Sequence, residues 1–81
     1  LVNKVVPHGD LMAETMAMAT ALANGPTRVL SLVKKVIHQG LVANIDQAGR
    51  NEEEAFTWCL RSPEHLEGVR AFLEKRPPRF R

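Results

Sequence analysis

The segment from Asp10 to about Asn24 constrains the fold of this 81-residue chain most strongly. Asp10 suits a helix N-cap and Gly25 suits a helix stop, so the segment predicts a helix. After the N-cap its only charged residue is Glu14, and its apolar side chains leave almost no polar face: Leu11, Met12, Met16, Met18, Ala19, Leu22 and Ala23. A helix that is apolar nearly all round is normally buried. A chain this short buries only about 60% of its surface, so we expect more protein around this helix.

A short extended lead and a second, amphipathic helix flank this segment. Residues 1–6 contain three valines, which favour extended structure, and Pro7 ends the lead. Pro26 suits the first turn of the second helix and Gly40 its end. The second helix carries one apolar stripe at helical spacing, made of Val29, Leu30, Val33, Val36 and Ile37.

Capping signals predict two further helices. Asn44 with Gln47 three residues later resembles a capping box and opens a third helix that runs to about Arg61. Gly49 lies inside that helix and predicts close packing of another helix there. Ser62-Pro63 restarts the chain as a fourth helix, which runs to about Arg76 before two prolines. The sequence therefore predicts an all-α chain of about four helices with an extended lead.

No residue combination predicts catalysis or metal binding. The three histidines, His8, His38 and His65, lack the helical spacing of metal ligands. The three glutamates at residues 52–54 are consecutive on a helix, so their side chains project in different directions and do not converge on one substrate. A solvent-exposed acidic face is therefore favoured over acid–base catalysis. Cys59 lies on the apolar stripe of the third helix, where a small buried side chain is favoured over a nucleophile. We therefore assign no catalytic residue and no metal ligand.

The end of the chain is rich in cations, with four basic residues in the last seven: Lys75, Arg76, Arg79 and Arg81. Phe72 and Phe80 are interleaved with them. In one interpretation the cations complement the negative end of the fourth helix. In the other they contact a phosphate or nucleotide, with an aromatic ring against the base. The residues leave both interpretations open.

Composition limits the classes of protein that remain. The net charge of +2 is too small to imply nucleic acid by itself, and no apolar run reaches the length of a membrane span. The single cysteine excludes an internal disulfide and suits a reducing compartment, so we expect a cytoplasmic location. The chain opens at Leu1 without a Met and without the pattern of a signal peptide, which predicts a processed or excised piece.

The order of these features resembles one family along essentially the whole chain. Residues 1–7, LVNKVVP, are similar to the "GLVN-x-VVP" stretch of the enoyl-CoA hydratase/isomerase (crotonase) family. Gly25-Pro26 followed by Lys34-Lys35 resembles the family's "GP…K" helix start. Residues 62–80, SPEHLEGVRAFLEKRPPRF, are very similar to its closing "S-x-D-x-x-EG-x-x-AFLEKR-x-P-x-F". This ending is the most specific part of the resemblance.

The resemblance implies that residues 1–81 are the C-terminal helical domain of such an enzyme, without its N-terminal spiral domain. In the family, that missing domain holds the oxyanion hole and the acidic catalytic residues, so no catalytic residue is implied here. The resemblance also implies a homo-oligomer, a trimer or hexamer, and an acyl-CoA substrate with no tightly bound cofactor. It places Lys75, Phe72 and Phe56 near the CoA of the same or a neighbouring subunit. It implies neither a nucleic acid nor a membrane as partner.

Two other functions stay open at this point. The chain could be an independent helical oligomerisation module without an acyl-CoA role. It could also be a small nucleic-acid binder that uses its basic end, in which case salt should weaken binding strongly.

Overall fold

All regular structure in this chain is helical. The computed structural model describes residues 1–81, and a short 3₁₀ turn, His8–Asp10, leads into helix α1, Leu11–Ala23. Helices α2, α3 and α4 follow at Thr27–Gly40, Ile45–Leu60 and Pro63–Leu73. The predicted all-α fold with four helices is therefore confirmed.

The side chains predicted to cap α3 and α4 do so. The Asn44 side chain accepts a hydrogen bond from the Gln47 N–H at 2.9 Å, and the Ser62 hydroxyl accepts one from the His65 N–H at 3.2 Å. Such caps satisfy backbone N–H groups that the first turn of a helix leaves without partners. Only half of the capping box at α3 forms, because the Gln47 side-chain oxygen accepts a hydrogen bond from Arg50 instead of from the Asn44 N–H.

The N-terminal part differs from the prediction in detail. Residues 1–6 form no strand, and the lead is tied to α1 by an ion pair of 2.6 Å between Lys4 and Glu14. Asp10 precedes α1 as predicted, but its side chain makes no capping hydrogen bond. Pro26 occupies the N-cap position of α2 rather than its first helical residue. None of these differences changes the order or the number of helices.

The helices form a flat layer rather than a closed globule. Helix α2 packs on α3, α3 contacts α4, and α1 lies mainly against the 3₁₀ turn that precedes it. The layer measures 45 × 39 × 16 Å, with a radius of gyration of 16.2 Å. A compact domain of this length would have a radius of gyration of about 12 Å.

This shape leaves the chain almost without a core. Ala71 and Ser62 are the only buried residues, and every residue of α1 is exposed. On α1 the exposed fraction is 68% for Met12 and 56% for Met16. Apolar patches of this size on a monomeric protein mark surfaces that other protein covers. The open layer thus agrees with the inference from α1 that this chain is surrounded by more protein.

Gly49 does not make the close helix contact that its position predicted. A Cβ placed there would meet no atom within 4 Å. At Gly25, by contrast, a Cβ would lie 3.3 Å from the carbonyl oxygen of Leu22, which suits a residue without a side chain at the end of α1. The prediction of close packing at Gly49 was therefore wrong within these 81 residues.

Candidate functional site

The most apolar of the concave surfaces described here is a groove between α2 and α3. It has a volume of about 850 Å³. Eight of its eleven lining residues are hydrophobic, which makes it a surface for an apolar ligand or another apolar element. We call it the α2–α3 groove, and its residues are Val29, Leu32, Val33, Val36, Ile37, Gly49, Glu52, Glu53, Ala55, Phe56 and Cys59.

Three residues of α2 and α3 show the character of the groove walls. Leu32, outside the predicted stripe of α2, is a half-buried groove residue. Cys59 is a free, half-buried thiol on the wall formed by α3, which agrees with a small packing side chain. Glu52, the polar interruption in the α3 stripe, lies at the groove but is exposed. The groove therefore has apolar walls and carboxylates on one side.

The three residues that the family resemblance places near CoA lie on different parts of the surface. Phe56 lies in the α2–α3 groove and is 63% exposed. Phe72 lies on α4, outside that groove, and is 82% exposed, while Lys75 lies beyond the end of α4 and is also exposed. All three are thus available for contacts, but the helices of this chain do not bring them into one pocket.

Helix α4 ends at Leu73, three residues before the predicted end. Lys75 has a φ of 53°, in the left-handed region. The Lys75 N–H donates to the Phe72 carbonyl at 3.2 Å, and the Arg76 N–H donates to the Ala71 carbonyl at 3.0 Å. These two bonds define a Schellman motif, in which the left-handed residue is usually Gly. The spacing of Phe72 and Lys75 therefore does not give them a shared helix face, although a backbone hydrogen bond joins them.

Beyond Lys75 the chain folds back on α4 through one carboxylate. Arg76 donates to both oxygens of Glu67, with Nη1–Oε1 at 2.6 Å and Nη2–Oε2 at 3.2 Å. The Arg79 N–H donates to Glu67 Oε1 at 2.8 Å, and Arg76 Nε donates to Glu74 at 2.6 Å. Bidentate charged pairs of this kind fix geometry as well as adding energy. We call the Glu67 carboxylate with its Arg76 and Arg79 partners the Glu67 clamp.

The clamp changes the acidity of its members. The hydrogen bond from Arg76, followed by that from the Arg79 N–H, holds the pKa of Glu67 at about 2, well below its ordinary value of 4.5. The hydrogen bond to Glu67, followed by that to Glu74, raises the pKa of Arg76 above its ordinary value. Both groups are therefore charged at neutral pH, and each favours the charged form of the other.

The returning tail closes a small polar cleft against the start of α2. The cleft has a volume of about 390 Å³ and includes Arg79, Phe80 and Glu64. Arg28 of α2 lies 3.8 Å from Glu64 Oε1, so an ion pair links α2 to α4. The second oxygen of Glu64 is buried without a hydrogen-bond partner. Together with the clamp, this pair fixes the end of the chain relative to α2.

Neither a metal site nor a membrane helix is found. The three histidines are exposed, and no group of three His, Cys, Asp or Glu side chains is arranged to hold a metal ion. No helix combines the length and apolarity needed to cross a membrane.

Comparison with known proteins places this chain in a family. The model of the enoyl-CoA hydratase/isomerase family matches residues 1–81, so the chain belongs to that family. It is similar to a crotonyl-CoA hydratase of Syntrophomonas wolfei, 35% identical over 80 residues. This alignment covers 99% of the chain and 31% of that relative. It is also similar to the human mitochondrial enoyl-CoA hydratase domain-containing protein 3, 35% identical over 96% of the chain and 26% of that relative.

Solved structures agree with the fold. The crystal structure of an enoyl-CoA hydratase from Geobacillus kaustophilus superposes with a TM-score of 0.90 at 36% identity. The match covers 99% of this chain and 30% of that one. The chain thus spans about a third of the length of the proteins it matches, and its open helical layer is part of a crotonase fold.

Sequence reasoning missed the Glu67 clamp. The helix stop at Pro77-Pro78 indicated that the chain must change direction after α4, and Glu67 lies two turns before the end of α4. A carboxylate in that position, followed nine residues later by an arginine, was the available signal. It was not decisive, because sequence spacing alone does not say that the tail returns along the same helix.

Proposed function

We propose that the protein carrying this chain hydrates or isomerises a 2-enoyl-CoA thioester in fatty-acid metabolism. Family membership over residues 1–81 supports this, since the family acts on CoA thioesters without a tightly bound cofactor. CoA enters as part of the substrate. The present segment has no catalytic residue of its own in this proposal. It supplies an oligomer interface and contacts to CoA.

The exposed apolar surfaces support the interface role. Helix α1 exposes about half or more of each large apolar side chain, among them Leu11 at 50% and Leu22 at 53%. Burying such side chains is worth roughly 1.5–3 kcal/mol each. Proteins of this family are typically trimeric. We therefore assign these surfaces to contacts within a homo-oligomer, a trimer or hexamer, and with the rest of the same chain.

The positions of the cations support the CoA contact. Arg76 is engaged by two carboxylates, whereas Lys75 is exposed and forms no ion pair. Lysine binds phosphate as a point charge, so Lys75 is the residue we assign to a CoA phosphate. Phe72, whose carbonyl accepts from the Lys75 N–H, is exposed beside it and is assigned to the adenine. Phe56 in the α2–α3 groove is assigned to the CoA of the same or a neighbouring subunit.

The test is Lys75→Ala in the full-length protein. We expect the KM for crotonyl-CoA to rise while kcat and oligomer size stay nearly unchanged, because uniform binding is lost. The matched substrate is crotonyl-pantetheine, which lacks the nucleotide half of CoA. Its KM should be the same in the wild type and in Lys75→Ala. An unchanged KM for crotonyl-CoA would contradict the CoA contact of Lys75, whereas a full-length protein that turns over no 2-enoyl-CoA would favour the alternative, a stand-alone helical oligomerisation module. Such a module gives Lys75 no ligand.

The remaining assignments follow from the same proposal. A cytoplasmic location is in keeping with a single free cysteine, Cys59. The partners are an acyl-CoA and further subunits, with neither nucleic acid nor membrane. DNA binding that weakens steeply with salt would contradict this part.

A further inference from the structure

The backbone at Lys75 adopts a conformation that a lysine does not favour on its own. Its φ of 53° brings the Cβ of an L-residue close to the following carbonyl oxygen. Residues persist in such conformations only where the surrounding structure fixes them, and they cluster at functional sites. The contacts that hold the Lys75 backbone in this conformation therefore bear on the function of Lys75.

The fixing contacts lie on both sides of Lys75. On the helix side, its N–H is bonded to Phe72, inside the last turn of α4. On the tail side, Arg76 is held by Glu67 through two parallel hydrogen bonds, with the Glu67 side chain 18% exposed. The Arg79 N–H binds the same carboxylate, so the tail is pinned at two points three residues apart. Lys75 therefore occupies a short, doubly anchored corner, which limits the directions in which its ammonium group can project.

The clamp also separates the cations by role. Arg76 donates to Glu67 and Glu74, and this leaves it little freedom to meet an external phosphate. Lys75, one residue earlier, is exposed and forms no ion pair with an acidic residue. The carboxylates thus bind the neighbouring cation and leave the lysine available.

We propose that Glu67 is a positioning residue for Lys75: by clamping Arg76 and the Arg79 N–H to α4, it sets the direction in which Lys75 presents its ammonium to the phosphate of a CoA thioester. This inference rests on the proposed function, since it takes Lys75 as the phosphate contact. It adds that the affinity for the nucleotide half of the substrate depends on a residue that does not touch it.

The first experiment uses Glu67→Gln in the full-length protein, with crotonyl-CoA and crotonyl-pantetheine as substrates. Glutamine keeps the size of the side chain but cannot hold a guanidinium by two charged bonds. The KM for crotonyl-CoA should rise towards the Lys75→Ala value, with kcat unchanged. The KM for crotonyl-pantetheine should be the same as in the wild type. The matched control is Glu74→Gln, which removes a contact to Arg76 but leaves the tail backbone bound, so its KM should stay close to that of the wild type.

The double variant Glu67→Gln/Lys75→Ala separates positioning from a general structural effect. If Glu67 acts through Lys75, the double variant has the KM of Lys75→Ala alone. If the two effects multiply, Glu67 has a separate role and the inference is overturned. A rise in KM for Lys75→Ala with none for Glu67→Gln would also overturn it, and would leave the CoA contact standing. If neither variant changes KM, the proposed CoA contact itself fails and this inference fails with it.

Trypsin gives a readout of the clamp that does not depend on activity. The bonds Lys75–Arg76 and Arg79–Phe80 are potential cleavage sites on the two sides of the clamp, whereas Pro77 protects the bond after Arg76. Both bonds should be cleaved faster in Glu67→Gln than in the wild type or Glu74→Gln. Where Glu67→Gln does not fold, Arg76→Lys serves instead, because lysine keeps the charge and loses the bidentate geometry. Equal cleavage rates in the wild type and the clamp variant would show that Glu67 does not hold the tail.

Discussion

Replacing Lys75 by glycine should make the protein more stable and at the same time weaken its affinity for the CoA thioester. The backbone at this position has a φ of 53°, and the left-handed region costs an L-residue about 1–2 kcal/mol that glycine does not incur. Glycine also destabilises the folded protein by roughly 0.5–1 kcal/mol, because it gives the unfolded chain greater conformational freedom. The net stabilisation expected for Lys75→Gly is therefore about 0.5–1 kcal/mol.

The assay is urea and thermal unfolding of the full-length protein, together with steady-state kinetics. A gain of this size should raise the melting temperature by about 2 °C in a domain of ordinary length. The control is Lys75→Ala, which also removes the ammonium but keeps a Cβ in the left-handed region. Both variants should show the same rise in KM for crotonyl-CoA, and only the glycine variant should be more stable than the wild type.

Comparison of the two variants assigns each effect to one cause. The Glu67 clamp and the Schellman hydrogen bonds involve no side-chain atom of Lys75, so neither substitution removes them. A stability difference between the variants therefore reports the backbone conformation, and a shared change in KM reports the ammonium group. The reasoning is refuted if Lys75→Gly is no more stable than Lys75→Ala, because Lys75 would then carry no strain that glycine relieves. An increase in stability without any change in KM would leave the strain but remove its functional meaning.

Four further outcomes are expected. Residues 1–81 alone should not turn over crotonyl-CoA above a buffer blank, because each missing oxyanion-hole donor is worth roughly 3 kcal/mol. At micromolar concentration the isolated chain should sediment as a dimer or trimer, and a monomer throughout would count against the interface role of α1. Gly49→Ala should stabilise the full-length protein by up to about 1 kcal/mol, as should the control Gly68→Ala, since an added Cβ meets no atom within 4 Å at either site. A decrease in stability for Gly49→Ala alone would indicate that another part of the protein packs closely against Gly49. The stabilising effect of Glu67 should be complete above pH 4.5 and be lost as the pH falls towards about 2, because its folded pKa is depressed. Urea unfolding of the wild type and Glu67→Gln across that range should show their difference shrinking with acid, and a constant difference would contradict it.

Most of the fold could be predicted because its signals are local. A side-chain oxygen at Asn44 or Ser62 satisfies backbone groups only three residues away, so the sequence near a helix start is sufficient. The apolar character of α1 is likewise visible without knowing what covers it. The order of the helices and their all-α class follow from such local signals.

Two sequence predictions, the end of α4 and close packing at Gly49, differ from the structure because they depend on more than the local sequence. The end of α4 was placed at about Arg76, because the residues up to the prolines are good helix formers. The helix ends at Leu73 instead, where the Schellman bonds and the Glu67 clamp stabilise a reversal. Gly49 was interpreted as a packing site, yet the α2–α3 groove is open at that point. At the end of α4 the ion pair joins residues nine positions apart, which helix propensity does not include, and at Gly49 no atom of this chain lies within 4 Å of an added Cβ.

The structure distinguishes two cations of the basic tail. The sequence presents four cations as a group that either complements the end of α4 or contacts a phosphate. In the structure Arg76 has a structural role of a third kind: its guanidinium binds Glu67, Glu74 and the Pro77 carbonyl, and so stabilises the chain where the helix stops. Lys75 is left without such partners and lies at a corner that Arg76 itself holds in place. The structural role of Arg76 is therefore compatible with the phosphate contact proposed for Lys75, because the clamp on Arg76 defines where the Lys75 backbone lies.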